Sequence, residues 1–207
     1  MRTSSDHKLI MESPIQYYNT DMQNYIKQEK HKPSKRWIAN VIQGLQEKEH
    51  IKLDTEDFIL LPDTERINRY SNTNIKKSPQ PVTMNWLAIV KDDSIETMRD
   101  LRGQHVHMLE NMRDSCLMKI QEETGINPEE IMVYVHYHPS VYHLHVHFAY
   151  PYMQYNHRDI YRIHSINTII ENLKMDPNYY ALANIQVSVT KDGPLYKAMF
   201  PTVGSNI

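Results

Sequence analysis

Five histidines lie close together in the segment VYVHYHPSVYHLHVHFAY, which covers residues 133–150. Imidazole is the side chain whose ordinary pKa lies nearest neutral pH, so it can act as a general acid, a general base, a nucleophile or a metal ligand. The chain has 12 histidines in 207 residues, and this concentration of them indicates a functional site. The five are His136, His138, His143, His145 and His147.

Three of these histidines alternate with apolar residues in the run HLHVHF. Alternate side chains of a β-strand point to the same face of a sheet. His143, His145 and His147 are therefore predicted to share one face, while the apolar residues between them pack against the core. By the same rule His136 and His138 share a face of the preceding strand. If the two strands pair, His136 lies near the other three.

Two interpretations of the cluster involve no catalysis by the imidazoles themselves. One is a set of surface or hydrogen-bonded structural histidines. The other is a zinc site, since histidine is a common zinc ligand. Alternate strand residues are about 6.6 Å apart at the backbone, so two rings can converge on one ion while a third in line is awkward. No cysteine lies nearby, and a carboxylate ligand has to come from elsewhere in the chain.

The third interpretation is nucleophilic catalysis at phosphorus, and it is the one we favour. A neutral imidazole attacks through one nitrogen when its other N–H is held by an acceptor that fixes the tautomer. Neighbouring imidazoles can donate to phosphate oxygens and protonate the leaving group near neutral pH. His145 is the predicted nucleophile because it has a histidine on each side.

The elements around the cluster predict an α+β domain, with an antiparallel sheet and a long helix packed beside it. Apolar residues three and four positions apart predict helices, and short apolar or alternating runs predict strands. The polar segment at 69–81 predicts a loop. Trp86, which lies inside an apolar strand, is assigned to the core. The predicted elements are a helix at 35–46, strands at 57–63 and 84–92, a helix from near Ser94 to near Gly125, a hairpin over 130–150 that turns at Pro139 and Ser140, a helix within 159–176 and a strand at 184–190.

The bulk composition restricts the kind of partner and compartment. Hydrophobic residues make up 40% and charged residues 23% of the chain, as in soluble globular domains. A net charge of -2 disfavours binding to long duplex nucleic acid, which requires many cations. No apolar run reaches the roughly 20 residues of a membrane span. The single cysteine, Cys116, suits a reducing compartment, so the predicted location is the cytoplasm, with the nucleus as a second candidate.

The run HLHVHF resembles the signature of the histidine triad superfamily of nucleotide hydrolases and transferases. Four longer stretches are similar, in order and spacing, to the scavenger mRNA-decapping enzymes of that superfamily, from about Lys35 to Met199. They are VYVHYHPSVYHLHVHF, DFILLPD, IIENLKMDPNYY and GPLYKAM. The resemblance implies a histidine triad-type domain that cleaves small cap fragments.

The resemblance also implies the role of each residue around the phosphate chain. His145 is implied as a nucleophile that forms a covalent nucleotidyl-histidine, from which water releases 7-methylguanosine monophosphate. The residues implied to support it are His143 and His147 as triad members, His136 as an additional active-site histidine, Ser140 and Arg162 as phosphate contacts, and His164 beside Arg162 at the start of the following helix.

A methylated guanine base requires a second kind of site. It is a delocalised cation with two N–H donors on its pairing edge, so it favours an electron-rich aromatic face and a carboxylate acceptor. The resemblance implies Trp37 as the stacking residue, Glu47 as the base-reading carboxylate and Asp63 as a further acidic residue of the pocket. Considered singly, the three have simpler interpretations as a core anchor, a solvated helix end and a turn residue.

Three residues depart from the pattern usual in that family. Glu65 stands in place of a basic residue, Val141 in place of a tyrosine near the phosphates, and His138 in place of an apolar residue. Loss of one phosphate donor costs about 10²-fold in rate. The family also carries a sizeable N-terminal domain that closes over the cap. We expect it to be absent or reduced here, with residues 1–34 as an N-terminal arm and 35–207 as the hydrolase domain.

The predicted function is hydrolysis of 7-methylguanosine cap dinucleotides or short capped RNA fragments by a homodimeric histidine triad pyrophosphatase that requires no metal or cofactor. One alternative is a histidine triad hydrolase of other dinucleoside polyphosphates or nucleoside phosphoramidates. Another is a non-catalytic cap-binding protein. Cleavage of methylated and unmethylated caps distinguishes the first alternative, and a phosphohistidine adduct in a single turnover distinguishes the second.

Overall fold

An antiparallel sheet carries most of the histidine cluster. The structure is a computed structural model that describes residues 6–63, 84–150 and 159–201. Its strands are β1 (His7–Glu12), β2 (Leu53–Asp54), β3 (Phe58–Pro62), β4 (Asn85–Val90), β5 (Met132–His136), β6 (His145–Ala149), β7 (Ile163–Ser165) and β8 (Ile185–Thr190). Strands β2 to β7 form one sheet in the order β2–β3–β4–β6–β5–β7, and β1 pairs with β8 in a second, two-stranded sheet. All these pairings are antiparallel.

The helices follow the apolar periodicity of the sequence. They are α1 (Pro14–Tyr17), α2 (Thr20–Lys30), α3 (Trp37–Ile42), α4 (Val106–Thr124), α5 (Ile166–Met175), α6 (Tyr179–Leu182) and α7 (Pro194–Met199). The long helix α4 ends where Gly125 adopts a left-handed conformation with φ 74° and donates its N–H to Gln121 O. Glycine reaches that conformation without steric cost, so the predicted end of this helix is confirmed.

The main core lies between the larger sheet and the helices. On α4, the buried residues Leu109, Met112, Cys116 and Ile120 are spaced three and four positions apart, which places them on one helix face. They share a buried cluster with alternate residues of the central strands. The strand members include Phe58, Leu60, Trp86, Ala88, Val90, Val146 and Phe148. The assignment of Trp86 to the core is therefore confirmed.

The other face of the same sheet holds a smaller apolar cluster. It is built from the intervening strand residues together with helix α3. Its buried members are Ile38, Val41, Ile59, Leu61, Leu87, Ile89 and Val141, and Trp37 packs against them. Because successive strand residues alternate between faces, this second face is the one that also carries His145 and His147.

The N-terminal segment is packed into the main core. Tyr17, Met22 and Ile26, from α1 and α2, are buried in the same cluster as the α4 residues. The side chain of Asn19 accepts a hydrogen bond from the Met22 N–H at the start of α2, which satisfies one of the otherwise unpaired donors of that helix.

Two predicted helices have different bounds in the structure. The helix predicted at 35–46 ends at Ile42, and the chain turns at Gly44, whose φ is 68°. The long helix begins at Val106 rather than near Ser94. The Asp100 carboxylate accepts the backbone N–H of Thr97 and closes a short 3-10 turn, and Leu101 is extended, so a continuous helix cannot pass through this stretch.

The predicted hairpin is present but its connection is longer than the sequence suggested. Strands β5 and β6 pair antiparallel, and residues 137–144 connect them. The second strand begins at His145, not at Val141, so His143 lies in the connection. The helix predicted within 159–176 begins at Ile166 and is preceded by β7. The polar loop predicted at 69–81 lies outside the described residues.

Candidate active site

Strand register places His145 and His147 on the face that carries α3. His145 lies opposite Ile89 and His147 lies opposite Leu87 on β4. Residues directly opposite in an antiparallel pair project to the same face. Leu87 and Ile89 both belong to the smaller apolar cluster that packs against α3. The two histidines therefore project from the sheet on the side away from α4, as the alternation in the sequence predicted.

The hydrogen bond of His145 fixes which of its nitrogens is nucleophilic. Its Nδ1 lies 2.7 Å from the backbone carbonyl oxygen of His143. A carbonyl oxygen only accepts, so Nδ1 carries the proton and Nε2 carries the lone pair. Burial lowers the pKa of His145 to about 4, and a positive charge on His143 acts in the same direction, against the backbone hydrogen bond. The ring is therefore neutral at pH 7, as a nucleophile requires.

His143 is held by two partners at the end of β4. Its Nε2 donates to the carbonyl oxygen of Val90 at 2.5 Å. Its Nδ1 lies 3.3 Å from Oδ1 of Asp93, a largely exposed carboxylate. When both nitrogens are protonated, this ring is a cation paired with Asp93 beside the neutral His145. Asp93 was not predicted, and its position three residues after the end of the apolar strand was the only signal for it in the sequence.

His136 contacts the third member of the triad, as predicted for paired strands. Its Nδ1 is 2.9 Å from Nε2 of His147, so one nitrogen donates and the other accepts. The rings of His145 and His147 have centroids 5.2 Å apart. On its other side His147 stacks on Tyr134, with an interplanar angle of 10° and centroids 5.0 Å apart. These contacts join three imidazoles into one group that can hold and pass protons.

His138 does not belong to this group, so the prediction that it shares a face with His136 is wrong. Strand β5 ends at His136, and the alternation of faces ends with it. The ring of His138 is instead buried against the main core, where Nε2 lies 2.5 Å from Oε2 of Glu12.

Of the predicted base-binding residues, Trp37 packs on the sheet face that carries His145 and His147. Trp37 opens α3 and is half-buried against the smaller apolar cluster. Glu47 follows that helix in a left-handed conformation, with φ 56°. Its Oε2 is 3.7 Å from Nε2 of His50. Among the described residues, no group donates a hydrogen bond to this buried oxygen.

Asp63 lies just beyond β3 and is oriented by a residue that the sequence analysis missed. Its Oδ2 accepts a hydrogen bond of 2.9 Å from Nδ2 of Asn85. Asn85 is buried and lies opposite Ala149, two residues beyond His147 on the same strand face. A buried amide inside the apolar run MNWLAIV was the available signal, because a strand core rarely accommodates a polar side chain without a specific partner.

The two predicted phosphate contacts, Ser140 and Arg162, lie in different surroundings. Ser140 is exposed in the β5–β6 connection. Arg162 donates from Nη2 to the carbonyl oxygen of His138 at 3.3 Å, and both residues border a cavity of about 480 Å³. His164 lies opposite Val135, a core residue, so its ring projects to the face away from the triad. The prediction that His164 joins the substrate site is therefore not supported by its position.

No group of three or more His, Cys, Asp or Glu side chains in the part of the chain that the structure describes is arranged to hold a metal ion. No helix there has the length and apolar character that crossing a membrane requires.

The sequence matches one family profile over the region that builds this site. The match covers residues 36–160, more than half of the chain, and the family is described as scavenger mRNA decapping enzyme C-term binding. The matched region contains the clustered histidines and the three predicted base-binding residues, whereas Arg162 and His164 lie just beyond it.

Several curated proteins are similar along nearly all of this chain. The m7GpppX diphosphatase of Ascaris suum is 28% identical over 194 residues, which cover 91% of this chain and 60% of that protein. The m7GpppX diphosphatase of Homo sapiens is 28% identical over 199 residues, or 94% of this chain and 55% of that protein. The chain thus spans little more than half the length of these relatives. A solved structure of Hnt3 in complex with DNA and guanosine covers 66% of this chain and 75% of its own at 16% identity, and its TM-score of 0.38 supports no inference.

Proposed function

We propose that this chain, which belongs to the family of scavenger mRNA decapping enzymes, hydrolyses 7-methylguanosine cap dinucleotides or short capped RNA fragments. The observation that carries the proposal is the state of His145. Its Nδ1–H is held by the His143 carbonyl, its pKa is lowered to about 4 by burial, and its Nε2 therefore carries a lone pair at neutral pH. A neutral imidazole of fixed tautomer, surrounded by other imidazoles, suits attack at phosphorus.

The proposed reaction has two steps. In the first, Nε2 of His145 forms a bond to the phosphorus that bears methylguanosine, and the P–O bond to the rest of the cap breaks. The departing phosphate oxygen takes a proton from the neighbouring imidazoles, for which the His136–His147 pair is the candidate source. In the second, water attacks the same phosphorus and returns a proton to the cluster. The N–P bond then breaks and releases 7-methylguanosine monophosphate.

Charge on the phosphates is neutralised by groups of this chain. His143, when protonated, is a cation next to His145 and is held by Val90 O and Asp93. Ser140 and Arg162 are the proposed further donors, and a small move of the Arg162 guanidinium away from the His138 carbonyl frees it for a phosphate oxygen.

The methylated base is proposed to bind beside α3. Trp37 offers an indole face to the cationic ring. The Oε2 atom of Glu47 is a buried acceptor to which no described residue donates, and the N–H groups on the pairing edge of guanine are donors of the required kind. Asp63, oriented by Asn85, is the second proposed carboxylate of this pocket.

We further propose that the protein is a homodimer and acts in the cytoplasm or the nucleus. The family resemblance supports the dimer, and the single cysteine, which is buried with its thiol pKa raised by burial, is consistent with a reducing compartment. Sedimentation equilibrium tests the dimer, and imaging of the tagged full chain tests the location.

A second candidate function, cap binding without hydrolysis, is favoured by one residue. Val141 is buried in the smaller apolar cluster, at the position where the family pattern has a tyrosine near the phosphates. If that donor is indispensable for catalysis, the site binds caps without cleaving them.

One experiment tests substrate, bond and nucleophile together. The wild-type protein and His145→Asn are incubated with a 7-methylguanosine cap dinucleotide, and the products are identified by mass spectrometry. The proposal requires 7-methylguanosine monophosphate from wild type and none from the variant, which still binds the cap. Hydrolysis at an unchanged rate by His145→Asn excludes the mechanism, and binding without product by wild type supports the second candidate function.

A further inference from the structure

A buried charged network lies behind the connection that carries His143. We call residues 137–144, between β5 and β6, the catalytic loop. Glu12, on β1, and Arg99 are both fully buried in contact with it. Oε1 of Glu12 accepts from Nε and Nη2 of Arg99, at 3.1 and 2.8 Å, and from the Tyr137 hydroxyl. The mechanism proposed above uses none of these groups.

Arg99 holds the Glu12 carboxylate in place. Its Nη1 donates to the carbonyl oxygens of Tyr180 and Ala183, at 3.0 and 2.6 Å. Its Nη2 also donates to the backbone carbonyl of Glu12 at 3.1 Å. All five N–H groups of the guanidinium can thus be used within the protein, so neither Arg99 nor Glu12 has freedom to move without breaking several bonds.

Glu12 contacts the start of the catalytic loop directly, and His138 links it to the residue near the end. At the start of the loop, Tyr137 and His138 donate to its two oxygens. Near the end, the hydroxyl of Tyr142 lies 3.3 Å from Nδ1 of His138. Because a carboxylate only accepts, His138 Nε2 is the donor to Glu12. In the tautomer with the proton on Nε2 alone, Nδ1 is an acceptor for the Tyr142 hydroxyl.

The last link runs through the backbone. Tyr142 is followed directly by His143, whose carbonyl oxygen holds the Nδ1–H of His145. A shift of this carbonyl removes the acceptor that keeps the lone pair of His145 on Nε2, the nitrogen that faces the phosphorus in the proposed reaction. The order of contacts is Glu12, His138, Tyr142, the His143 carbonyl and His145.

We propose that Glu12, acting through His138 and Tyr142, is a positioning residue that fixes the tautomer of His145 by fixing the catalytic loop. None of the three has a role in the reaction steps proposed for the phosphate chain. The consequence for turnover rests on the proposed function, whereas the consequence for the His145 tautomer does not. Glu12 and His138 are 126 positions apart in the chain. The proposal therefore makes a distant N-terminal segment part of the catalytic unit.

The proposal is tested in variants that change the network without removing its buried charges. Tyr142→Phe removes only a hydroxyl, and His138→Leu removes both ring nitrogens. His138→Gln keeps a donor for Glu12 and an acceptor for Tyr142. Tyr25→Phe is the matched control, because Tyr25 packs edge-on against the Tyr142 ring but its hydroxyl is not a member of the network.

The first readout is the ¹⁵N spectrum of His145 in the full chain without ligand, together with thermal unfolding to show that each variant is folded. The proposal requires a single Nδ1–H tautomer in wild type, Tyr25→Phe and His138→Gln, and a mixture of tautomers in His138→Leu and Tyr142→Phe. A folded His138→Leu that keeps the pure Nδ1–H tautomer overturns the proposal. A His138→Gln variant whose His145 shows the same mixture of tautomers as in His138→Leu also overturns the proposal.

The second readout is steady-state cleavage of a cap dinucleotide. We expect kcat to fall by about 10- to 100-fold in His138→Leu, since a misplacement of about 1 Å can cost this much, while KM changes by less than about 2-fold. His138→Gln is expected to recover most of kcat. If wild type does not cleave caps but His138→Leu still loses the pure tautomer, the proposed function fails and the positioning role stands. An unchanged kcat in an active His138→Leu enzyme overturns the positioning role alone.

Discussion

The Nδ1 atom of His136 lies 2.9 Å from the Nε2 atom of His147, so the two imidazoles share one proton at their contact. Both nitrogens cannot be protonated there at once, because two N–H groups would point at each other. The pair therefore acts as one group toward a proton, and His145 lies next to it, with its ring centroid 5.2 Å from that of His147.

Removal of either member of this pair is expected to disable the same proton transfer. His136→Ala and His147→Ala are each predicted to lower kcat by about 10²- to 10⁴-fold, the usual contribution of a general acid or base. The double variant is expected to lose little more than either single variant, because the two rings perform one task. Steady-state kinetics on a cap dinucleotide measures all three, and His107→Ala, at an exposed position of α4, is the control. Losses that multiply in the double variant contradict a shared role.

The lowered pKa of His145 makes stability depend on pH. The folded-state pKa is about 4, below the ordinary value of 6.5, so the unfolded chain binds a proton that the folded one resists. The stabilising contribution is complete above about pH 6.5 and is lost as the pH falls through about 4, with a total of about 3 kcal/mol. Urea unfolding of wild type and His145→Asn at several pH values measures it. The difference in unfolding free energy between the two is expected to shrink in acid, and parallel pH curves contradict the assignment.

Trp37 is expected to provide the preference for a methylated base. A cation–π contact contributes about 0.5 to 2 kcal/mol, which corresponds to a roughly 2- to 30-fold preference for the methylated over the unmethylated cap. Trp37→Ala should abolish this preference, and Trp37→Phe should keep part of it because a phenyl ring is a weaker partner than indole. Binding of the two caps to each protein is measured by calorimetry. A full preference retained in Trp37→Ala excludes this residue as the stacking partner.

Packing of α4 against the sheet is expected to account for much of the stability of the domain. Met112 is fully buried in the main cluster. Met112→Ala is predicted to lower the free energy of unfolding by about 2 to 5 kcal/mol, through lost burial and a cavity. Met118 lies on the same helix with 62% of its surface exposed. Met118→Ala, the matched control, should change the free energy of unfolding by less than about 0.5 kcal/mol. Denaturant unfolding measures both variants, and equal losses of stability contradict this account of the core.

Most of the fold was predictable because its elements follow local apolar patterns. The strands at Phe58–Pro62, Asn85–Val90 and Ile185–Thr190 and the end of α4 at Gly125 lie where the pattern predicted them. The start of α4 was not predictable in this way. The residues around Thr97 suit a helix start, but Asp100 closes them into a separate short turn, and side-chain capping of this kind is invisible to periodicity.

The site was predictable to the extent that one strand encodes it. The alternation in HLHVHF placed His145 and His147 on one face, and the pairing of the hairpin placed His136 beside them. His138 was misassigned because it lies past the end of β5. The face of His164 could not be predicted, because it is set by the pairing of β7 with β5, which is not visible in the sequence. Asn85 and Asp93 were missed because each becomes relevant only through a partner elsewhere in the chain.

The sequence by itself determined the chemistry of this protein: an imidazole at every second position of an amphipathic strand, and apolar residues that seal the other face. Those features are local, so the strand period of two is enough to reveal them. Only the tertiary structure decided which nitrogen of His145 carries the proton, and which distant carboxylate, Glu12, holds the loop that supplies its acceptor. Contacts between residues far apart in the chain depend on strand pairing and helix packing, and no local pattern specifies them.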